Sequence, residues 1–185
     1  MIYIVTPSKL DHKTVTGNHQ TGLRYLDVLK VLGVNSILMA GDINSDQLKN
    51  VDGMILLHAK KSHSTATLCK EKLIPYALVL TGTDLYLDML NKDSSAYQKC
   101  IDSICGAKVI IVLQPHAKQL LLKILPDFKT KIFVIFQSTS FGPQSIANNR
   151  IKKDISIVMV GNIRKEKDTL TGINGFIESK KNVMA

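Results

Sequence analysis

The sequence predicts an α/β fold, with a Rossmann-like parallel β-sheet and helices on both of its faces. Short apolar runs alternate along the chain with segments of helical periodicity. Most of these runs are continuously apolar instead of alternating, which is typical of strands buried on both faces of a sheet. Strands that alternate with helices pair in parallel through right-handed crossovers.

The segments between the apolar runs carry helix signals. Leucines at every third position up to Leu32 are followed by Gly33, which indicates a helix and its C-cap. Another helix is expected after the capping-type run Asp93–Ser95, and a third is expected to open at Pro115. The expected strands are the runs Ile2–Thr6, Ser36–Ala40, Met54–His58, Tyr76–Thr81, Val109–Leu113, Ile132–Phe136 and Ile155–Gly161.

A second domain is expected to begin near the end of the chain. Residues 142–154 are polar and contain Gly, Pro and paired Asn, which indicates a linker. The strand Ile155–Gly161 and the helix-like stretch after it cannot bury their own apolar faces. We therefore expect a first domain at 1–141, a linker at 142–154 and the incomplete start of a second domain at 155–185.

The composition limits the class of protein. The chain has 185 residues, 45% of them hydrophobic, and a net charge of +9, so phosphates and other anions are plausible partners. A basic surface that only keeps the protein soluble would explain the same charge. Nucleic-acid binding would also suit the charge, but aromatic residues make up 5% of the chain, too few for a base-stacking platform.

The cysteines and the N-terminus point to a cytoplasmic protein. Cys69, Cys100 and Cys105 are odd in number and form no CxxC pair, which argues against a disulfide framework or a zinc site. The first residues form a strand pattern and not a signal peptide, and no run is long enough to span a membrane. We expect no metal and no bound cofactor, and the oligomeric state is open.

Polar residues follow the expected strands. In parallel sheets, ligands bind beyond the carboxyl ends of the strands, where these segments converge. Gly17 would let a ligand approach the backbone, and the following helix start offers free N–H groups to an anion, although an ordinary turn would look the same. The segments are Thr16–Asn18, His58–Ser62, Thr81–Asp84, Gln114–His116 and Gln137–Ser138.

Three segments could carry chemistry. His58, Lys60, Lys61 and Ser62 suit a multiply charged phosphate-like group, although a solvated loop with the histidine turned into the sheet edge is the alternative. The two lysines are adjacent, so one of them is expected to point inward. Asp84 could orient a sugar hydroxyl or act as a base, or it could cap the next helix.

The segment Val160–Asp168 is the third. There a strand ends in Gly161, and a basic loop then opens onto a helix, a geometry that can clamp a diphosphate. The alternative is a solvated charged turn. Because the sequence contains no GxGxxG and no GxxxxGK[ST] pattern, dinucleotide and P-loop sites are disfavoured.

Val160–Asp168 resembles the start of the second lobe in family 4 glycosyltransferases, which have the two-lobed GT-B fold. Lys167 falls where that family has a lysine that holds the donor's diphosphate. The arginine that usually follows the glycine is replaced by Asn162, and Arg164 lies two residues later.

A narrower group, the selenosugar synthases of selenoneine biosynthesis, resembles the chain along its whole length. The run Thr81–Tyr86 is the most specific part. The matching stretches are Tyr3–Pro7, Thr16–Asn18, Leu57–Ser62, Leu80–Tyr86, Leu113–Pro115 and Val160–Asp168.

The resemblance implies transfer of a sugar from a UDP-sugar, UDP-N-acetylglucosamine or UDP-glucose, to selenophosphate. Arg164 and Lys167 would hold the donor diphosphate, so that no metal is needed, and His58 and Asp84 are the candidates for catalysis. The implied acceptor contacts are Gly17, Asn18, His58, Lys60, Lys61, Ser62, Thr81, Gly82, Thr83 and Asp84.

The resemblance also implies that most of the donor-binding lobe is missing, and we expect little transferase activity from this chain alone. A non-catalytic anion- or nucleotide-binding α/β module is the alternative, followed by a nucleic-acid-binding protein. Steeply salt-dependent DNA binding would indicate the latter.

Overall fold

The structure, a computed structural model, describes residues 1–7, 16–137 and 168–183. The chain divides into two units, Met1–Gly142 and Pro143–Ala185, and each is described by itself. The predicted strand Ile155–Gly161 and the predicted linker 142–154 lie outside the described residues, so both stay predictions.

The described part of the first unit contains one sheet of parallel strands. Its strands are β1 Ile2–Thr6, β2 Ser36–Ala40, β3 Gly53–Leu57, β4 Tyr76–Leu80, β5 Val109–Val112 and β6 Ile132–Val134. They lie in the order β2-β1-β3-β4-β5-β6, and every neighbouring pair is parallel. The predicted α/β, Rossmann-like fold is confirmed.

Four helices connect these strands in the described part of the first unit. Within the predicted capping run Asp93–Ser95, Ser94 caps the third helix by accepting a 3.0 Å hydrogen bond from the N–H of Tyr97. Pro115 opens the fourth helix, as predicted. Gly33 follows the end of α1 with a φ of +71°, a conformation that favours glycine. The helices are α1 Gly17–Val31, α2 His63–Glu71, α3 Ser95–Gly106 and α4 Pro115–Ile124.

The helices lie on both faces of the sheet, as the sequence predicts, but they divide unequally. On one face, α1 covers a small core in which Tyr25, Leu26 and Leu29 pack against buried strand residues. The opposite face carries the larger core, to which α2, α3 and α4 contribute. The buried strand residues of the α1 face are Ile4, Leu57, Val79 and Ile111.

Helix α1 approaches the sheet closely at Gly22. A Cβ atom at this position would lie 2.7 Å from both Leu38 Cδ1 and Thr6 Cγ2. Because Thr6 is the last residue of β1 and Gly22 lies in the second turn of α1, the start of α1 at Gly17 projects beyond the end of β1. The N-terminus of α1 therefore belongs to the carboxyl edge of the sheet.

The described part of the second unit is helix α5, Thr169–Val183. Leu170, Ile173 and Ile177 on this helix are exposed by 72%, 47% and 47%. The sequence predicts that Phe176 lacks a covering domain as well as these three, but Phe176 is half-buried. Among the described residues, every helix is too short or too polar to cross a bilayer.

Candidate functional site

The strand order creates a crevice at one end of the sheet. From β1 the chain moves outward to β2 and then returns to place β3 on the other side of β1. Ligands of open α/β sheets bind at such a reversal, beyond the carboxyl ends of the two diverging strands. The residues that flank it are the start of α1, which follows β1, and the loop that begins at His58, which follows β3.

His58 directly follows β3, and its side chain is buried. It is 1% exposed, and its backbone has a φ of +75°, in the left-handed region. Its Nδ1 accepts a 3.4 Å hydrogen bond from the N–H of Lys61, so the proton lies on Nε2, which donates to Thr83 Oγ1 over 2.9 Å. The predicted strand Met54–His58 therefore ends one residue early, because the backbone turns at His58.

Burial lowers the pKa of His58 below its usual value and keeps the ring neutral. The carboxylate of Asp84, with Oδ2 at 3.9 Å from His58 Nδ1, opposes this shift, and the positive charge of Lys61 adds to it. A neutral imidazole with one fixed tautomer can position Thr83. It adds no positive charge to the crevice.

Asp84 is buried and joins the loops that follow β3 and β4. Its carboxylate accepts hydrogen bonds from the backbone N–H groups of Ala59 at 3.0 Å, Gly82 at 2.8 Å and Leu85 at 3.1 Å, and also from Thr81. A carboxylate surrounded by backbone donors is a structural anchor. The role of Asp84 as a base stays a prediction, and this geometry favours a positioning role.

The turn after Thr83 is a π-helix, Asp84–Asp88, in which the N–H of Met89 donates to the carbonyl of Asp84 over 3.1 Å. Such turns are rare and occur frequently at functional sites. This one brings Asp88 to the amino group of Lys60, which donates a hydrogen bond to Asp88 Oδ1. Asp88 also lies 4.0 Å from His58 Nε2.

Sequence reasoning did not identify Asp88. The available signal was the spacing of Asp84 and Asp88, four residues apart in a segment expected to be helical. A pair at that spacing shares one side of a helical turn, so both carboxylates face the β3 loop. The structure adds Asp88 to the site as the partner of Lys60.

The other side chains of the loop that follows β3 differ in their burial. Ser62 is buried, and its hydroxyl donates to the carbonyl of Leu57 over 2.7 Å. Lys60 is half-buried against Asp88, whereas Lys61 is exposed, as the adjacency of the two lysines predicts. Of these three side chains, only Lys61 extends into solvent with no charged partner among the described residues.

The start of α1 supplies backbone N–H groups for which the described residues offer no partner. Thr16 caps the helix by accepting a 3.2 Å hydrogen bond from the N–H of His19. Gly17 is exposed, and a Cβ atom there would meet nothing within 4 Å. Asn18 is half-buried beside it. The N–H groups of Gly17 and Asn18 therefore remain at an accessible helix terminus, which favours anions.

The predicted site residues thus fall into two groups. His58, Ser62 and Asp84 are buried and hold the loops, and their contact with a ligand stays a prediction. The others lie at least partly at the surface of the same sheet edge. They are Gly17, Asn18, Lys60, Lys61, Thr81, Gly82 and Thr83.

The remaining predictions concern donor binding and metals. Arg164 and Lys167 lie outside the described residues, so their role stays a prediction. Within the described ranges, no three His, Cys, Asp or Glu side chains come together as a metal site would require. Cys100 is buried in the core, where burial raises its pKa to about 12, which makes it an unreactive thiol.

Comparisons with known proteins add no family. No model of a known protein family matches this chain, and no curated protein matches it significantly. The resemblance to family 4 glycosyltransferases therefore stays a prediction, and any function has to be argued from the geometry of the crevice.

Proposed function

We propose that this chain carries the acceptor-side lobe of a GT-B-type glycosyltransferase. In this proposal a small anionic acceptor, with selenophosphate as the first candidate, binds at the crevice between the ends of β1 and β3. The observation that carries the proposal is the position of an accessible helix N-terminus, at Gly17, and an exposed ammonium group, on Lys61, at the two loops that flank this crevice.

The crevice carries only a small net positive charge, which suits a small anion. The ammonium group of Lys60 is paired with Asp88, and His58 is neutral. The positive potential then comes from Lys61 and from the helix terminus, which together suit a small polyanion at this edge of the sheet.

The reaction proposed for the intact enzyme breaks the bond between the sugar C1 and the UDP oxygen and forms a bond from C1 to the selenium of the acceptor. The crevice would hold the acceptor so that selenium faces the donor. Positioning of this kind can supply a large part of the rate acceleration. Arg164 and Lys167 would offset the charge that develops on the departing UDP.

A calorimetric titration of the 185-residue chain with inorganic phosphate at low salt tests the acceptor site. We expect binding that weakens roughly three- to tenfold in Lys61→Met, because one charged contact is lost. Lys99→Met, which removes an exposed lysine of α3, is the matched control and should bind as the unaltered chain does. Equal affinities of the two variants would exclude the proposed site.

A non-catalytic anion-binding module is the second candidate, because the two candidate catalytic groups, His58 and Asp84, are both buried. A chimera of residues 1–141 with the donor lobe of a family 4 glycosyltransferase separates the two functions. The transferase proposal expects selenosugar formation, followed by mass spectrometry, from a UDP-sugar and selenophosphate. Phosphate binding by a folded chimera that forms no selenosugar would favour the module.

A further inference from the structure

A cavity of about 230 Å³ opens between α1 and the ends of β5 and β6. It belongs to the first unit, and none of its lining residues is one of the predicted acceptor contacts, although Gln137 comes from a polar segment predicted at the same edge of the sheet. Most of its lining residues are apolar, and two of these residues are aromatic. The apolar lining consists of Tyr25, Val28, Leu113, Ile135 and Phe136.

Polar groups converge on one end of this cavity. The side-chain amide of Gln137 donates a 2.8 Å hydrogen bond to Thr21 Oγ1, and Arg24 Nη1 lies 3.5 Å from Gln137 Oε1. No carboxylate lies within 4.0 Å of Arg24 among the described residues. The guanidinium group therefore carries a positive charge whose nearest polar partner is a neutral amide.

We propose that this cavity binds an amphipathic monoanion, whose ring system fills the apolar part and whose carboxylate or sulfonate pairs with Arg24. An apolar pocket with a few convergent polar groups is the usual form of a small-molecule site. The volume is slightly below the lower limit of about 300 Å³ for typical ligand pockets. One or two fused rings therefore suit it better than a whole nucleotide.

The ligand differs in chemistry from the acceptor proposed above. A compact polyanion has no apolar surface to bury and would leave the walls formed by Tyr25 and Phe136 in contact with water. Guanidinium groups bind planar anions through two parallel hydrogen bonds, whereas the aromatic walls favour rings. The inference rests on these lining residues and is independent of the glycosyltransferase proposal.

Two fluorescent probes that differ by one anionic group test the inference. They are 1-anilinonaphthalene-8-sulfonate, which is anionic, and N-phenyl-1-naphthylamine, which is its neutral counterpart. We expect both probes to bind the folded chain. Arg24→Gln should weaken the anionic probe roughly tenfold, as the loss of a charged hydrogen bond predicts. The same substitution should change the affinity for the neutral probe less than twofold.

Filling the cavity provides the second arm of the experiment. Val28→Phe should abolish binding of both probes, because the larger ring occupies the cavity. Val31→Phe is the matched control, since Val31 is 87% exposed on the same helix and does not line the cavity. Circular dichroism establishes that each variant is folded.

Three outcomes would overturn the inference. The first is equal loss of both probes in Arg24→Gln, and the second is unchanged binding in folded Val28→Phe. The third is a dimer that sediments as such and dissociates in Val28→Phe, because a second copy of the chain would then cover the cavity.

Discussion

The imidazole of His58 donates a 2.9 Å hydrogen bond to the hydroxyl of Thr83, and so joins the loop that follows β3 to the loop that follows β4. The bond from the Ala59 N–H to Asp84 Oδ2 runs alongside it. Both loops border the crevice, so the positions of Lys60 and Lys61 depend on a buried polar network. A network of this kind stabilises the fold only while all of its members are paired.

Asp84→Asn should be strongly destabilising. The asparagine side chain replaces one acceptor oxygen by an N–H₂ group. That group then faces either the N–H of Ala59, which donates to Oδ2, or the N–H of Gly82, which donates to Oδ1. We expect the free energy of unfolding to fall by about 2–4 kcal/mol, because buried donors lose their partners. Urea denaturation measures it. Asp27→Asn, an exposed position on α1, should change stability by less than about 0.5 kcal/mol.

Stability should fall as the pH drops below about 6.5, the usual pKa of histidine, partly through His58. Its pKa is lowered in the folded state, so below pH 6.5 the unfolded state binds a proton that the folded state does not. The free energy of unfolding then decreases with falling pH, by at most about 1.4 kcal/mol per pH unit for one proton.

The variant His58→Asn isolates this contribution, because asparagine tolerates the left-handed backbone. Urea denaturation of both proteins between pH 7.5 and pH 5 gives the two slopes. We expect a shallower slope for the variant. Identical slopes would mean that His58 is not the group that resists protonation.

Asp88→Asn should raise the affinity for inorganic phosphate. In the structure Asp88 holds the amino group of Lys60, and its carboxylate competes with any anion that needs this group. Removing that charge should strengthen phosphate binding roughly two- to fivefold, as the loss of a pair worth about 0.5–1 kcal/mol allows. Calorimetry measures it, and Asp93→Asn, at an exposed position, is the control. Weaker phosphate binding in Asp88→Asn would show that Asp88 does not compete with the anion for the amino group of Lys60.

Gly22→Ala and Gly17→Ala should have opposite effects on stability. The added methyl group at Gly22 meets Thr6, a buried and β-branched residue that cannot turn away, so α1 has to shift. We expect a loss of about 1–2 kcal/mol. At Gly17 the methyl group meets nothing within 4 Å, and the helix gains up to about 1 kcal/mol. Urea denaturation compares the two, and equal effects would contradict the close approach of α1.

Much of the fold could be predicted because it depends on local patterns. Continuous apolar runs predict where the strands lie. Ser94 and Pro115 indicate helix starts, because a serine hydroxyl caps the first turn and proline suits the first helical position. The ends of the strands are harder to predict, because the apolar residues continue beyond the last residue that pairs with a neighbouring strand. Phe136, which is 68% exposed, was assigned to a strand that ends at Val134.

The candidate site could be predicted only as a set of loops. The sheet topology brings Gly17 and His58 to one edge, as the sequence predicts. Which side chains turn inward depends on contacts between residues that are distant in sequence, such as Ala59 with Asp84. The sequence places Gln137 at the same edge as the start of α1, but it does not predict the contact of Gln137 with Arg24, which lies more than 100 positions away.

The two faces of the sheet are covered unequally, and this affects how the protein aggregates. On one face, α1 is the only helix among the described residues that packs over Ile4, Leu57, Val79 and Ile111. If this helix detaches while the strands remain paired, all four apolar side chains become exposed to solvent together. Two such molecules can then associate before either has unfolded completely. Loss of soluble protein on storage should therefore follow the opening rate of α1 more closely than the global unfolding rate.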